Sequence, residues 1–391
     1  MFNKRPLPPT SRLKKLATIL ALTALVGCQG STDVSSERSL ALIATMDGDP
    51  LTVLDVQSGT IMERAPSELG VLGEEARALS YPGSLLYYSG AGKLVCFDLT
   101  TRTIAWTEAI GGNQNPRWAG QTIHANFSLA LTPDQRTLLA ADSYNQGVWG
   151  VATLDLDSRT AIGFIPALRV RKMFTIPPGE ILASGGVLAL GTTLPKAFDD
   201  DGERRRGQFY LLAGSPLAVV DSIKFLVPGD SVAGGVAEMI LDRAGRYAYF
   251  STFNNRIHKY DLQSRSYVRS LQMPSYGPLA LSPDGRFVYM IDGSQSRDVP
   301  GSGFMYVADA GLTGADAIDL NGAAQDGLPP QLNSVVTSRD GAFLYVGAGT
   351  PARGPVYGTQ HGFVIVIDAR TGRILQTFSL PTWGVRDIVL L

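Results

Sequence analysis

An all-β, seven-bladed β-propeller with four-stranded antiparallel blades is the fold this sequence predicts, and three observations predict it. A phrase of about fifty residues returns along the chain, a period that belongs to propellers and related repeats. Its plainest copies are LALSPDGRFVYM, from Leu279 to Met290, and FVIVIDARTGRILQTFSL, from Phe363 to Leu380. The apolar runs are short, alternate in part and end in regular turn signals. The two ends are complementary: residues 40–64 offer three strands and 384–391 offer one. Pairing that last strand with the N-terminal blade would close the ring by backbone hydrogen bonds and leave no raw edge.

Strands are numbered within each blade from the inside outward. The first blade holds ALIATM, PLTVLDV and TIMERA and takes GVRDIVLL (384–391) as its inner strand. The second, Ala76 to Ile110, reads ARALSYP, SLLYYSG, KLVCFDL and TIAWTEAI. The third reads SLALTPDQ, RTLLAADS, GVATLDL and AIGFIPA. The fourth is degenerate: EILASGG and VLALGTT are expected as inner strands, QFYLLAG as the third and AVVDSIKFLV as the fourth. A charged insertion, PKAFDDDGERRRG, separates its second and third strands. The fifth reads AEMILDRAG, RYAYFST, RIHKYDL and YVRSLQM, and the last two open at LALSPDG and SVVTSRDG.

The turns have physical reasons. In Pro283-Asp284-Gly285, Pro presets the first turn position, Asp bonds neighbouring amides and Gly takes the positive φ of a tight hairpin. Asp55, Asp98, Asp155, Asp261 and Asp368 each end a third strand before a short polar turn. Satisfying loose amides there is a structural role, so none of the five is expected to be catalytic.

Strands alternate in direction, so the connections of every blade fall on two faces. Turns between strands one and two, and three and four, share one face and are nearly all short. The second-to-third loops and the crossings between blades share the other, and the length lies there. These segments hold Tyr144 and Trp149, Arg297, and the trio Arg353, Tyr357 and His361. The crossings add Arg117, Trp118, His124 and Trp383. Long loops on a rigid frame usually carry recognition, and Arg, Trp and Tyr dominate binding hot spots. The ten residues form the expected binding face.

The first residues are read as an address. Lys4, Arg5, Arg12, Lys14 and Lys15 precede an apolar stretch, Leu16 to Leu25, too short for a stable bilayer span. Without residues 1–27 the formal charge moves from −1 to −6, because five basic and no acidic residues leave. A mildly acidic domain excludes nucleic acid as the expected partner. Gln29 to Ser39 is a polar, Ser-rich stretch suited to a flexible tether. Cys96, inside the apolar LVCFDL, is expected to be a small buried hydrophobe.

Leu25-Val26-Gly27-Cys28 resembles the bacterial lipobox. That resemblance implies a signal peptide over 1–27, lipid on Cys28, a tether over 28–39 and a propeller domain over 40–391. An ordinary secretory signal is the alternative. The implied location is the cell envelope, on the outer membrane facing the periplasm, with the lipid as the only membrane contact. Through SPDGRFVYM and VIVIDARTGRIL the repeats are similar to bacterial YVTN-type propellers, and more distantly to WD-repeat and quinoprotein-like ones. The phrase DLTTRTIAW approaches a quinoprotein-like motif but has Arg102 where that motif has Gly, so quinone binding is not implied.

No cofactor is expected. There is no CxxCH for covalent haem, no Gly-rich phosphate loop and no nucleophile elbow. Of three histidines, His258 lies within a strand, and His124 and His361 lack a spaced third metal ligand. Asp199, Asp201 and Glu203 could offer oxygens to calcium, but they lack the alternating spacing of a loop site and three arginines follow. The expected function is therefore a monomeric, non-catalytic scaffold that binds an envelope protein or exported macromolecule. The alternative is a periplasmic enzyme, resembling the propeller lactonases or amine-dehydrogenase heavy chains, with a site in the axial channel.

Overall fold

The computed structural model describes residues 39–391 apart from 45–50, 57, 65–76, 81–83, 91–92, 110–127, 142–149, 167, 169, 180, 193–206, 226–235, 294–301, 324–328, 350–361 and 381–383. The described strands build a β-propeller of four-stranded antiparallel sheets, seven in number. β1 (Ser39–Ala44), β2 (Leu51–Asp55) and β3 (Thr60–Arg64) begin the first sheet. β4 (Arg77–Ser80), β5 (Leu85–Gly90), β6 (Lys93–Asp98) and β7 (Thr103–Ala109) form the second. The third holds β8 (Leu129–Leu131), β9 (Thr137–Ala141), β10 (Gly150–Asp155) and β11 (Thr160–Pro166). The fourth holds β12 (Val170–Ile176), β13 (Gly186–Thr192), β14 (Gly207–Ala213) and β15 (Ala218–Phe225). The fifth is β16 (Val236–Leu241), β17 (Tyr247–Thr252), β18 (Arg256–Asp261) and β19 (Ser266–Gln272). The sixth is β20 (Leu279–Leu281), β21 (Phe287–Ile291), β22 (Phe304–Asp309) and β23 (Ala315–Asp319). The seventh is β24 (Gln331–Thr337), β25 (Phe343–Gly349), β26 (Gly362–Asp368) and β27 (Ile374–Leu380).

The last strand, β28 (Val385–Leu390), completes the first sheet, pairing with β1 from Leu40↔Leu390 to Ala44↔Val385. The inner strands adjoin in the order β28, β4, β8, β12, β16, β20 and β24, and β24 adjoins β28 again. Core side chains fill the spaces between sheets. Val385 and Ile388 of β28 pack with Tyr345, Val364 and Phe378 of the seventh sheet, whereas Val389 and Leu391 pack with Tyr88, Val95 and Phe97 of the second. Hydroxyls also tie neighbouring inner strands: Thr175 donates to the Leu131 carbonyl at 2.7 Å, and Thr337 to that of Leu281 at 3.0 Å.

The fourth sheet corrects one expectation. EILASGG is not its inner strand; β12 is, and the described residues 177–179 and 181–185 lie between it and β13. The apolar pattern explains the error. Val170, Met173 and Ile176 are buried, but the irregular spacing reflects a bulge, with the register slipping between Val170 and Lys172. The turn also lacks the Ser-Pro-Asp-Gly phrase that marks the sixth sheet, using Pro177-Pro178-Gly179 and a left-handed Gly185 instead.

The repeated Asp residues do what the turn chemistry predicts. Asp98 Oδ1 accepts from the Thr100 and Thr101 amides, Asp155 from Ser158, and Asp368 from Arg370 and Thr371. Asp55 accepts from Ser58, and Asp261 from Gln263, Ser264 and the Arg246 guanidinium. Asp309 plays the same part in the sixth sheet, accepting from the Thr313 and Gly314 amides, and sequence reasoning missed it. The left-handed position of these turns is filled by Gly59 and Gly372, but also by Arg102, Arg159 and Arg265 at φ of 57°, 56° and 53°. Arg102 thus adopts the backbone conformation that glycine adopts in the matching turns.

The outer strands share a further device. Pairing of the third with the fourth strand skips one residue in six sheets: Met62, Ala105, Ile162, Val220, Val268 and Leu375. Each is a β-bulge whose extra residue turns outward. Met62, Ile162, Val220, Val268 and Leu375, exposed large apolar side chains of this rim, are therefore bulge residues and not packing defects, with Ile162 at 57 % and Val220 at 52 % the most exposed.

Candidate functional site

The topology puts the chain's elaborated connections on one face. Second strands end, and third strands begin, at the same sheet edge where one sheet crosses to the next. That edge releases 142–149, 193–206, 292–303 and 350–361 between strands, and 110–128, 226–235 and 320–330 between sheets. The opposite edge carries turns such as 99–102, 156–159, 262–265, 282–286 and 338–342. Residues 253–255, between β17 and β18, and 91–92, between β5 and β6, are short exceptions at the elaborated edge.

The expected binding residues Arg117, Trp118, His124, Tyr144, Trp149, Arg297, Arg353, Tyr357, His361 and Trp383 lie outside the described residues. So do Cys28 and the calcium candidates Asp199, Asp201 and Glu203. The frame that roots their segments is described. Between β21 and β22, Asp292 is buried and accepts from the Ser302 amide at 2.9 Å and from the Ser302 hydroxyl. Gly293 donates its amide to the Tyr276 carbonyl at 2.9 Å, and Asn321 Nδ2 donates to the Ser302 carbonyl at 3.2 Å. Both feet of this connection are therefore tied to the crossings beside it. On the third sheet, the Ala141 amide donates to the Ser128 carbonyl, and the Ser128 hydroxyl accepts the Met173 amide of the next sheet at 2.7 Å. Between β17 and β18, Phe253 is 39 % exposed and meets Tyr276 edge to face at 4.8 Å.

Two residues that the sequence left unremarked meet on the inner strands. Lys172 Nζ of β12 lies 3.5 Å from Glu238 Oε2 of β16, both half-buried. Each follows a register slip, between Val170 and Lys172 and between Val236 and Glu238. A bulge re-aims the side chains beside it, which brings opposite charges of adjacent sheets together near the elaborated edge. No local motif marks this pair, because its members come from different repeats.

His258 is fully buried in β18, stacked on Phe250 at 4.9 Å, with Nε2 3.1 Å from the Thr252 hydroxyl. Cys96 is fully buried among Tyr87, Leu94 and Leu138, and burial pushes its thiol up to about 11, so thiolate chemistry is disfavoured. Lys259 of the fifth sheet sits 4.1 Å from the Tyr247 ring centre and donates to the Ala310 carbonyl at 3.0 Å, with desolvation lowering its pKa. Tyr249 hydroxyl reaches the same carbonyl at 3.2 Å, and burial lifts its pKa to about 12. These groups latch the fifth sheet to the sixth. Among the described residues no group of three His, Cys, Asp or Glu could hold a metal ion. Nor, among them, is any helix long and apolar enough to cross a membrane.

No protein-family model matches the chain, and no curated protein matches its sequence. Solved structures do match its fold. The β-propeller domain of Cps50 (Swd1) from Myceliophteria thermophila aligns with a TM-score of 0.50 at 15% identity, covering 79% of this chain and 87% of that one. The dihydro-heme d1 dehydrogenase NirN, in complex with DHE, gives 0.53 at 15% identity over 94% of this chain and 78% of its own. The hydrazine synthase of Kuenenia stuttgartiensis gives 0.53 at 13% identity over 91% of this chain and 100% of that chain. At these identities the likeness is one of fold.

Proposed function

We propose that the chain is a lipid-anchored module of the bacterial cell envelope, similar to YVTN-type propellers. Its seven sheets act as the blades of one ring sealed by β28 on β1. Its elaborated face docks an envelope protein or an exported macromolecule without catalysis of its own. The observation that carries this reading is the division of labour between the two edges of most sheets. On one edge the Asp carboxylates are turned onto their own turn amides, as at Asp98 and Asp368. On the other the chain spends its length in segments rich in Arg, Tyr and Trp. The basic leader and Cys28 support the address, on the outer membrane facing the periplasm.

Photocrosslinking in intact cells from positions 149 and 353, with position 158 on the short-turn edge as control, tests the docking. Capture of one common protein from the first two positions and not the third is expected. Capture of lipid alone, or equal capture from all three, would remove the reading. A Cys28→Ser variant is expected to leave the membrane fraction, and protease protection in intact cells would place the domain inside the envelope.

A second reading, an enzyme with an axial site, is favoured by the Lys172–Glu238 pair on adjacent inner strands. NirN and hydrazine synthase, by their names, are enzymes whose structures contain this fold. Lys172→Met and Glu238→Gln would then abolish a ligand-dependent signal while leaving crosslinking from position 353 intact.

A further inference from the structure

β23, the outer strand of the sixth sheet, differs from the outer strand of every other sheet. Its pairing with β22 runs from Phe304↔Asp319 to Ala308↔Ala315 without a skipped residue. The other six outer strands each carry a bulge, which bends the edge and breaks the ladder an incoming strand would read. β23 also lacks the bulk and the positive charge that blunt an edge. Its sequence is ADAID, with no Lys, Arg, Pro or aromatic residue.

The register shows which backbone groups face outward. Leu320 donates its amide to the Gly303 carbonyl, so this pair is a hydrogen-bonded one. Antiparallel pairs alternate, so Asp316 and Ile318 bond inward to β22. The N–H and C=O groups of Ala315, Ala317 and Asp319 point away from the sheet, where among the described residues β23 has no neighbouring strand. Ala315, Asp316, Ala317 and Asp319 are exposed, while Ile318 packs on the core between the sixth and seventh sheets. The edge is therefore anchored, regular, lined by short side chains and purely acidic.

We propose that β23 is a strand-addition site that takes an extended, basic segment of a partner protein as a fifth strand of the sixth sheet. Main-chain hydrogen bonds to Ala315, Ala317 and Asp319 supply the affinity. Asp316 and Asp319 lie on opposite faces of β23. They select a segment whose Lys or Arg residues are three apart, so that each face offers one opposite-charge cross-strand pair. This surface lies on the outer rim and is separate from the elaborated face, so each can fail without the other.

The test uses the full domain and two synthetic extended peptides of alternating Thr and Val. One carries two arginines three residues apart and the other carries glutamates in their place. Titration calorimetry should detect the arginine peptide, with the glutamate peptide at least about tenfold weaker, or about 1.4 kcal/mol. Hydrogen exchange should slow at the amides of Ala315, Ala317 and Asp319 and at no other outer strand. Ala317→Pro removes an outward donor and no bond to β22, so it should abolish binding at unchanged melting temperature. Asp316→Lys with Asp319→Lys should reverse the preference between the peptides, which keeps the test open if the proline variant does not fold. Absence of binding, protection spread over several outer strands, indifference to these substitutions, or a domain that dimerises through β23 by itself would overturn the proposal.

Discussion

The first and fifth sheets are both four-stranded and antiparallel yet are held by different means. The fifth is one continuous stretch, 236–272, whose strands are joined by short turns and whose flanks are pinned by side-chain bonds. Arg246 bonds Asp261, Lys259 and Tyr249 reach Ala310, and Ser251 donates to the Gly277 carbonyl. The first sheet takes its inner strand from the far end of the chain, and its hold is the β1–β28 ladder with the apolar packing of Val385 and Ile388. Local circuitry tolerates the loss of one bond. A joint made by distant segments depends on both being present.

The largest effect should come from breaking the joint. Val385 and Ile388 are 0% and 3% exposed, and burying each is worth about 1.5–3 kcal/mol, so removing residues 384–391 forfeits at least about 3–6 kcal/mol before the ladder is counted. Against a typical total of about 5–15 kcal/mol, calorimetry should show the transition of the whole domain falling sharply or broadening. If only a minor early transition separated from an otherwise unchanged one, the joint would be dispensable.

Asp261→Ala, within the fifth sheet, should cost about 1.5–3 kcal/mol in a denaturant titration, because two turn amides and the Arg246 guanidinium lose a charged acceptor. Lys259→Met should cost about 1 kcal/mol, the loss of one hydrogen bond and a cation–π contact. Costs as large as the truncation's would erase the contrast between the sheets.

Acid should act on turns throughout the ring. The Thr100 amide is the main cause holding Asp98 below the ordinary carboxylate range, and the Thr371 amide does so for Asp368. At Asp261 burial works upward, but Arg246 and the turn amides outweigh it. A carboxylate with a depressed folded pKa stabilises above its unfolded value of about 3.9 and loses that contribution as pH falls through the folded one. Stability should therefore fall as the pH drops from about 5 to about 3, and a flat profile there would show the Asp–amide bonds to be inert. The smallest change should come from Arg159→Gly, which relieves a left-handed non-glycine residue. A gain below about 1 kcal/mol is expected.

The fold was readable because its turns are local. Asp98, Asp155 and Asp368 bond amides two or three residues away, so the same short phrase recurs wherever the same geometry does. β12 escaped because a bulge broke its period and its turn used other residues. The Lys172–Glu238 pair and the Asp292–Ser302 tie escaped for a different reason. Each joins residues brought together by ring geometry or by the closing of a connection, and neither leaves a spacing to read. The ten face residues were nameable by type and by connection length alone.

The position of β28 in the first sheet also orders events during synthesis. Ser39–Ala44 emerge early and lack their β28 neighbour until Val385–Leu390 follow about 340 residues later. Contacts so far apart in sequence form slowly. The inner edge of the first sheet therefore stays open through most of the chain's synthesis and closes only when Val385–Leu390 pair with β1.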